Sequence, residues 1–521
     1  MQKGNVLALI QYKMSSDKLK HKHHDRKFTK KTCLRTKNSN SSGKKPFYGK
    51  KFDPRKSGQR QDTHFDGVDV HVDQNFPLTI KRLGINGEGI GYFKRKIVFV
   101  PGALPDEVAV VRVTEVEPKY IAARVLKIRE KSPNRVKPMD EFATEVGGFE
   151  LEHMTYPAQL AFKKDVLVQS LEKFQPRGWS DYDLRDTIGM ENPYEYRNKA
   201  QFPVRKIGKK LSIGMYKRGS HDLVDLPVVH TQDPITMKVL RTIRELLDKL
   251  SVSIYNEDKN HGTVKTIVVR VSHTTGEVQL TFVTNTDGFP GDTALITAIN
   301  QALPEVTGIF QNFNPGRTSL VWGDETIKLW GKDYIEETVM GKTFQLSPRA
   351  FMQLNYTQMA VVYKEALLAL DLTHADKLVD AYAGVGTIGL SLADKVGEVR
   401  GMEIIPEAVD DANINAKINH IENAQYEVGT AEELFPKWQS EGWLADALVV
   451  DPPRTGLDTA LRREILRTKP EKFVYISCNA STLARDLVDL TKAYKVDYIQ
   501  SIDMFPQTAR WEGVVKLTRR D

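Results

Sequence analysis

Cysteine is almost absent: the 521 residues hold two, Cys33 and Cys478. Two thiols exclude a disulfide framework, fit a reducing compartment, and cannot ligate an iron–sulfur cluster, which takes four. Long apolar runs are missing as well. Residues 5–10 fall far short of the roughly 20 that span a bilayer, and no signal-peptide pattern follows them. The chain is therefore expected to be cytoplasmic, with no membrane partner. Acidic residues are scarce at one end only. Residues 1–60 carry 18 Lys and Arg against 3 Asp and Glu, and the remainder carries 57 against 64, so the overall +8 divides into +15 and −7. A basic arm on a mildly acidic body is the pattern of a nucleic-acid tether or of a solubilising tail, and composition leaves both open. Met14-Ser15-Ser16 offers a second candidate start.

What is present divides into four segments. Residues 1–72, rich in Lys, His, Ser, Gly and Asn, lack apolar periodicity and are expected to be a disordered basic tail. Residues 73–131 hold five short runs of β-formers, from Leu78-Thr79-Ile80-Lys81 to Ala122-Ala123-Arg124-Val125, broken by Gly84, Gly87, Gly102 and Pro105. That spacing suggests a closed OB-like β-barrel, a scaffold that often binds oligonucleotides, and Lys81, Arg82, Lys94, Arg95 and Lys96 suit such use. Residues 132–345 mix helix and strand into a central α+β domain. Within it, residues 156–174 have helical spacing and a positive face. Residues 194–202 interleave aromatics, cations and amides, as surfaces that stack on unpaired bases do. Residues 346–521 alternate strand and helix from Asp376 onward, which predicts an α/β, doubly wound Rossmann-like sheet. Gly513-Val514-Val515-Lys516-Leu517 is expected at its edge.

In such a sheet ligands bind beyond the carboxyl ends of the strands. Asp380-Ala381-Tyr382-Ala383-Gly384-Val385-Gly386-Thr387 ends one strand and opens a helix, with glycines that let a cofactor approach the backbone. Glu403, about 20 residues on, can take two ribose hydroxyls. Gly389 completes a dinucleotide spacing, so the turn alone leaves NAD open. Two further strand ends carry chemistry: Asp451-Pro452-Pro453-Arg454, and Tyr475-Ile476-Ser477-Cys478-Asn479. An acid followed by prolines at that strand tip is a methyltransferase habit. A lone cysteine is usually buried packing, yet a thiol beside carboxylates and an arginine points to covalent catalysis on a polar substrate.

With those residues in view, the chain resembles the S-adenosylmethionine-dependent RNA uracil-5-methyltransferases over about residues 75–521. The resemblance rests on Phe351-Met352-Gln353-Leu354-Asn355, the glycine turn, Asp451-Pro452-Pro453-Arg454-Thr455-Gly456, Ser477-Cys478-Asn479, Thr482-Leu483-Ala484-Arg485-Asp486-Leu487 and Phe505-Pro506-Gln507-Thr508, all in order. Residues 85–91 and 100–107 likewise resemble a TRAM domain, an RNA-binding attachment to RNA-modifying enzymes. The resemblance implies that Gln353, Tyr382, Glu403 and Asp451 contact S-adenosyl-L-methionine, that Cys478 is the nucleophile and that Glu512 is the base. It implies an RNA partner, ribosomal RNA ahead of transfer RNA, and a monomer. A thiolate is expected at Cys478, favoured by the helix that begins near Ser481.

Two departures stand out. Where many relatives carry a Cys-Gly-Gly-Cys-like stretch for a cluster, this chain has Val146-Gly147-Gly148-Phe149, so no iron–sulfur cluster is expected. Where relatives have His two residues before the glutamate, it has Arg510. A cytosine-5 methyltransferase would want a second cysteine where Arg454 stands. A non-catalytic RNA chaperone or ribosome-assembly factor would not need Cys478 and Glu512 together.

Overall fold

The computed structural model describes residues 70–521 apart from Pro290 and Ser319; the basic tail expected at 1–72 and Cys33 lie essentially outside the described residues. Strands β1 (Asn75–Leu83), β2 (Gly89–Phe93), β3 (Lys96–Val100), β4 (Val108–Val116) and β5 (Tyr120–Glu130) close into the expected barrel, in the order β1-β2-β3-β5-β4. Alternate residues fill it: Phe76, Leu78 and Ile80 of β1 meet Ala109, Val111 and Val113 of β4. Lys94 and Arg95 turn the β2–β3 hairpin with φ of 48° and 69°, the left-handed pair a tight hairpin demands.

Helix α1 (Tyr156–Phe174) and strand β6 (Asp183–Ile188) follow. The central sheet comprises β7 (Lys199–Ile207), β8 (Lys210–Tyr216), β9 (Leu223–Asp225), β10 (Val264–Val271), β11 (Val278–Thr284), β12 (Val306–Phe313) and β13 (Glu325–Gly331). Its order is β13-β12-β11-β10-β7-β8-β9. One face packs on α2 (Pro234–Lys249) and α3 (Asp292–Ala302). Val146 and Phe149 are buried in this same core, where Phe149 meets Phe142 edge-on at 5.3 Å. The hairpin β14 (Ile335–Val339) and β15 (Lys342–Leu346) leads to the C-terminal sheet.

That sheet is doubly wound: α4 (Tyr356–Leu370), β16 (Lys377–Ala381), α5 (Thr387–Leu392), β17 (Glu398–Glu403), α6 (Pro406–Ile418), β18 (Ala424–Val428), α7 (Ala431–Ser440), β19 (Ala447–Val450), α8 (Thr459–Thr468), β20 (Lys472–Ser477), α9 (Ala480–Leu490), β21 (Tyr494–Ile502) and β22 (Glu512–Arg519). The strand order is β18-β17-β16-β19-β20-β22-β21-β6. Two expectations are corrected here. The last strand, β22, lies between β20 and β21 rather than at the edge, because Val514, Val515 and Leu517 present apolar surface to both faces and need cover on both. The edge is β6, which pairs parallel with β21, and α1 packs on α9. A segment expected in the central domain thus completes the C-terminal sheet. One cation of that positive face is spent inside: Lys163 is fully buried against Asp503.

Candidate active site

Ladder register determines which residues meet beyond the strand ends. Ala381 pairs with Met402 on one side and Val450 on the other, so Tyr382, Glu403 and Asp451 leave their strands side by side. β22 runs the opposite way. Ser477 pairs with Gly513 at the last rung of that ladder, so Cys478 and Glu512 lie one residue beyond it on neighbouring segments, and the Glu512 charge acts on the thiol. Gln353 arrives from the segment before α4, where Asn198 Nδ2 donates to its carbonyl at 3.2 Å. Two residues on, Asn355 caps α4 and its Nδ2 donates to the Met504 carbonyl at 3.0 Å, tying that segment to the loop before Glu512.

The turn after β16 is open on the site side. Tyr382, Gly384 and Gly386 have φ of 64°, 55° and 80°, a region strained for tyrosine. A Cβ on Gly384 would meet no atom within 4 Å, whereas one on Gly386 would lie 3.0 Å from the Tyr426 ring. Glu403 reaches across: Oε2 accepts from Gly384 N at 3.1 Å, and Oε1 from Ile404 N and Ile405 N at 2.7 and 3.1 Å. Gly389 is accounted for by packing, since its N–H donates to Asp380 Oδ2 at 2.8 Å and a Cβ would approach Tyr426 Oη to 2.6 Å. An open glycine cradle beside an acid held at the end of the adjoining strand fits a nucleoside with a free ribose diol.

The site is crowded with acidic groups. Burial and then Glu403 push Asp380 up to about 7, with its Oδ1 lacking a partner. Burial and then Asp380 push Asp451 up to about 7. Glu512 is buried with Oε1 unpartnered, and burial followed by Asp451 raises it well above the usual carboxylate range against Arg454 and Lys163. Cys478 rises to about 12, through burial first, then Glu512 and Asp451, with Arg454 opposing. Burial and these charges act against the thiolate expected there. α9 does begin two residues after Cys478, capped by Asn479, whose side chain accepts from Ser481 N at 3.0 Å. Desolvation first, and then the Glu512 and Asp451 charges, oppose what that helix end favours.

The sequence reading missed the clamp on the loop before Glu512. Four successive carbonyls are taken by four different donors: Met504 O by Asn355, Phe505 O by Lys163 Nζ at 2.9 Å, Pro506 O by Tyr196 Oη at 3.0 Å, and Gln507 O by Leu151 N at 3.0 Å. Gln159 of α1 adds a reciprocal pair with Gln507. Tyr196 is consequently buried and unavailable for base stacking, contrary to expectation. Nothing in local sequence marks Lys163 for this role. Asp380, in contrast, was visible at its strand end. Among the described residues no group of three or more His, Cys, Asp or Glu is arranged to hold a metal ion, and no helix is long and apolar enough to cross a membrane.

The model of the tRNA (uracil-5-)-methyltransferase family matches residues 323–520, and that of the TRAM domain matches residues 70–126. A protein of Lactiplantibacillus plantarum named as an uncharacterized RNA methyltransferase is 59% identical over 451 residues, covering 87% of this chain and 94% of its own. A like-named protein of Enterococcus faecalis is 53% identical, covering 87% and 99%. The chain belongs to the RNA uracil-5-methyltransferase family. A solved structure of the Pyrococcus abyssi tRNA (uracil-54, C5)-methyltransferase in complex with S-adenosyl-L-homocysteine superposes with a TM-score of 0.68 at 27% identity, covering 85% of this chain and 99% of that one. Family membership accounts for the β16 turn and for the order of strand-end motifs. It leaves the role of each side chain to be argued from the site itself.

Proposed function

We propose that the protein transfers a methyl group from S-adenosyl-L-methionine to C5 of a uridine in RNA, with Cys478 as nucleophile and Glu512 as base. What supports this reading is that Cys478 and Glu512 each adjoin the final Ser477–Gly513 rung at the carboxyl end of β20, close enough for the Glu512 charge to act on the thiol. Uracil C5 is a weak nucleophile. The Cys478 thiol releases its proton to solvent, and the thiolate so formed adds to C6, forming the S–C6 bond and sending the ring electrons into an enolate with carbanion character at C5. S-adenosyl-L-methionine supplies the electrophilic methyl group that C5 acquires. Glu512 then takes the C5 proton, the C5–C6 double bond re-forms, and the sulfur leaves. A carboxylate raised by burial is a stronger base than an exposed one, which suits Glu512 to that proton. Arg454, in the field of both Cys478 and Glu512, is the cation that offsets the negative charge each acquires. Glu403 would hold the ribose, with Tyr382, Asp451 and Gln353 lining the remainder of the cofactor.

The barrel supports ribosomal RNA as the substrate by analogy with TRAM-bearing enzymes. The likeness to the Pyrococcus abyssi enzyme supports transfer RNA as the second reading. Mapping 5-methyluridine in both RNA pools from a deletion strain separates them: loss from 23S ribosomal RNA supports the first, loss from transfer RNA the second, and no loss in either pool refutes both.

A further inference from the structure

Strand β7 divides its residues by face. Ala200, Phe202 and Val204 enter the core under α2 and α3. The other face carries Lys199, Gln201, Pro203 and Arg205, all partly exposed, in line with Arg197 two residues earlier. On β10 the partner of Lys199 is Arg270. Directly opposed side chains have Cβ atoms about 5 Å apart, and like charges there repel. Arg270 is satisfied, donating to the carbonyls of Ser347 and Ala350 within the field of Asp411 and Glu337. Lys199 is not. Among the described residues no acceptor meets its Nζ, and the charges acting on it are Arg270 and Arg197. Arg197 Nε is also buried without an acceptor. At the outer end Arg205 has Glu257 at 3.8 Å, so the unpaired charge concentrates at the inner end. There Asn198 holds the Gln353 segment and Tyr196 holds Pro506.

We propose that Arg197 and Lys199 form a phosphate site, which holds a phosphodiester of the RNA substrate against the central sheet beside the catalytic loop. Burial, then Arg270 and Arg197, push the Lys199 ammonium down to about 7, a strain that an anion relieves. A backbone rather than a lone small anion fits the face, because its polar line continues from Arg197 through Gln201 to Arg205. That is roughly 27 Å at about 3.4 Å per residue. The site deepens the RNA-methylation reading and rests on it.

The test is a salt series of binding constants for the full chain with a uridine-containing stem–loop RNA, alongside calorimetry with S-adenosyl-L-methionine. Lys199→Gln should bind RNA roughly 10- to 100-fold more weakly at low salt. Its slope of log affinity against log salt should be shallower by about 0.7 to 0.9. Lys199→Arg should stay near wild type, and cofactor affinity should not change. Arg197→Gln gives an independent slope should Lys199→Gln fail to fold. An unchanged slope in both neutral variants overturns the proposal, as does a loss confined to cofactor affinity, which would make this a carboxylate site. Wild-type protein that binds RNA but methylates no uridine would sink the functional reading instead, and the slope would still decide the phosphate site.

Discussion

Glu512→Gln should lower the pKa of the neighbouring thiol and at the same time stall the reaction. Raising Cys478 from 9.0 to about 12 opposes its thiolate by about 4 kcal/mol. Burial comes first among the causes and the Glu512 charge second. Side chains on neighbouring strands lie on the order of 5 Å apart. Two unit charges at that separation repel by about 3 kcal/mol at an effective dielectric near 20, or roughly two pH units. The amide keeps the shape and removes the charge, so the thiol midpoint should fall from about 12 toward roughly 10. The rate of iodoacetamide alkylation against pH reports this directly, in a Cys33→Ser background so that one thiol is read. With RNA and methyl-labelled cofactor, the same variant should add to C6 and acquire the methyl, then stop, because the C5 proton blocks elimination. A labelled protein–RNA adduct that survives denaturation is expected, whereas Cys478→Ala should give neither adduct nor product. A thiol midpoint no lower than wild type, together with normal turnover, would refute the assignment of both residues.

Glu403→Ala removes the acceptor of three backbone N–H groups beside the glycine cradle; calorimetry should show S-adenosyl-L-methionine binding weakened by about 1.5–3 kcal/mol. Asp380 titrates near 7 in the folded chain against an ordinary 3.8, so the folded state holds an extra proton between those values. Stability should fall as pH rises through that window, by up to about 4 kcal/mol, and Asp380→Asn should raise the thermal midpoint at pH 8 while leaving it unchanged near pH 3. Lys163→Met strands the buried Asp503 carboxylate and should destabilise the fold by about 3–5 kcal/mol in urea titrations.

How much of this was legible in the chain depended on range. The barrel strands alternate inward and outward residues over a few positions, and the catalytic strands are short apolar runs that end in Asp451, Cys478 and the glycine turn. Local pattern carries both, so the architecture and the strand-end residues follow from the sequence itself. Partnership across long separations does not. Lys163 meets Asp503 and Gln159 meets Gln507 more than 300 residues away, which is why α1 and β6 read as central domain and fold as part of the catalytic sheet. The place of β22 inside the sheet follows from burial on both faces, a property of neighbours. The protonation of Cys478 is likewise collective. The helix beginning at Ala480 is visible in the sequence and favours a thiolate. The approach of Glu512 and Asp451 to Cys478 exists only once antiparallel β22 and parallel β19 are laid beside β20, and burial there, with those two carboxylates, opposes what the helix end favours. The sequence determined which groups were available, and the tertiary structure decided their charge.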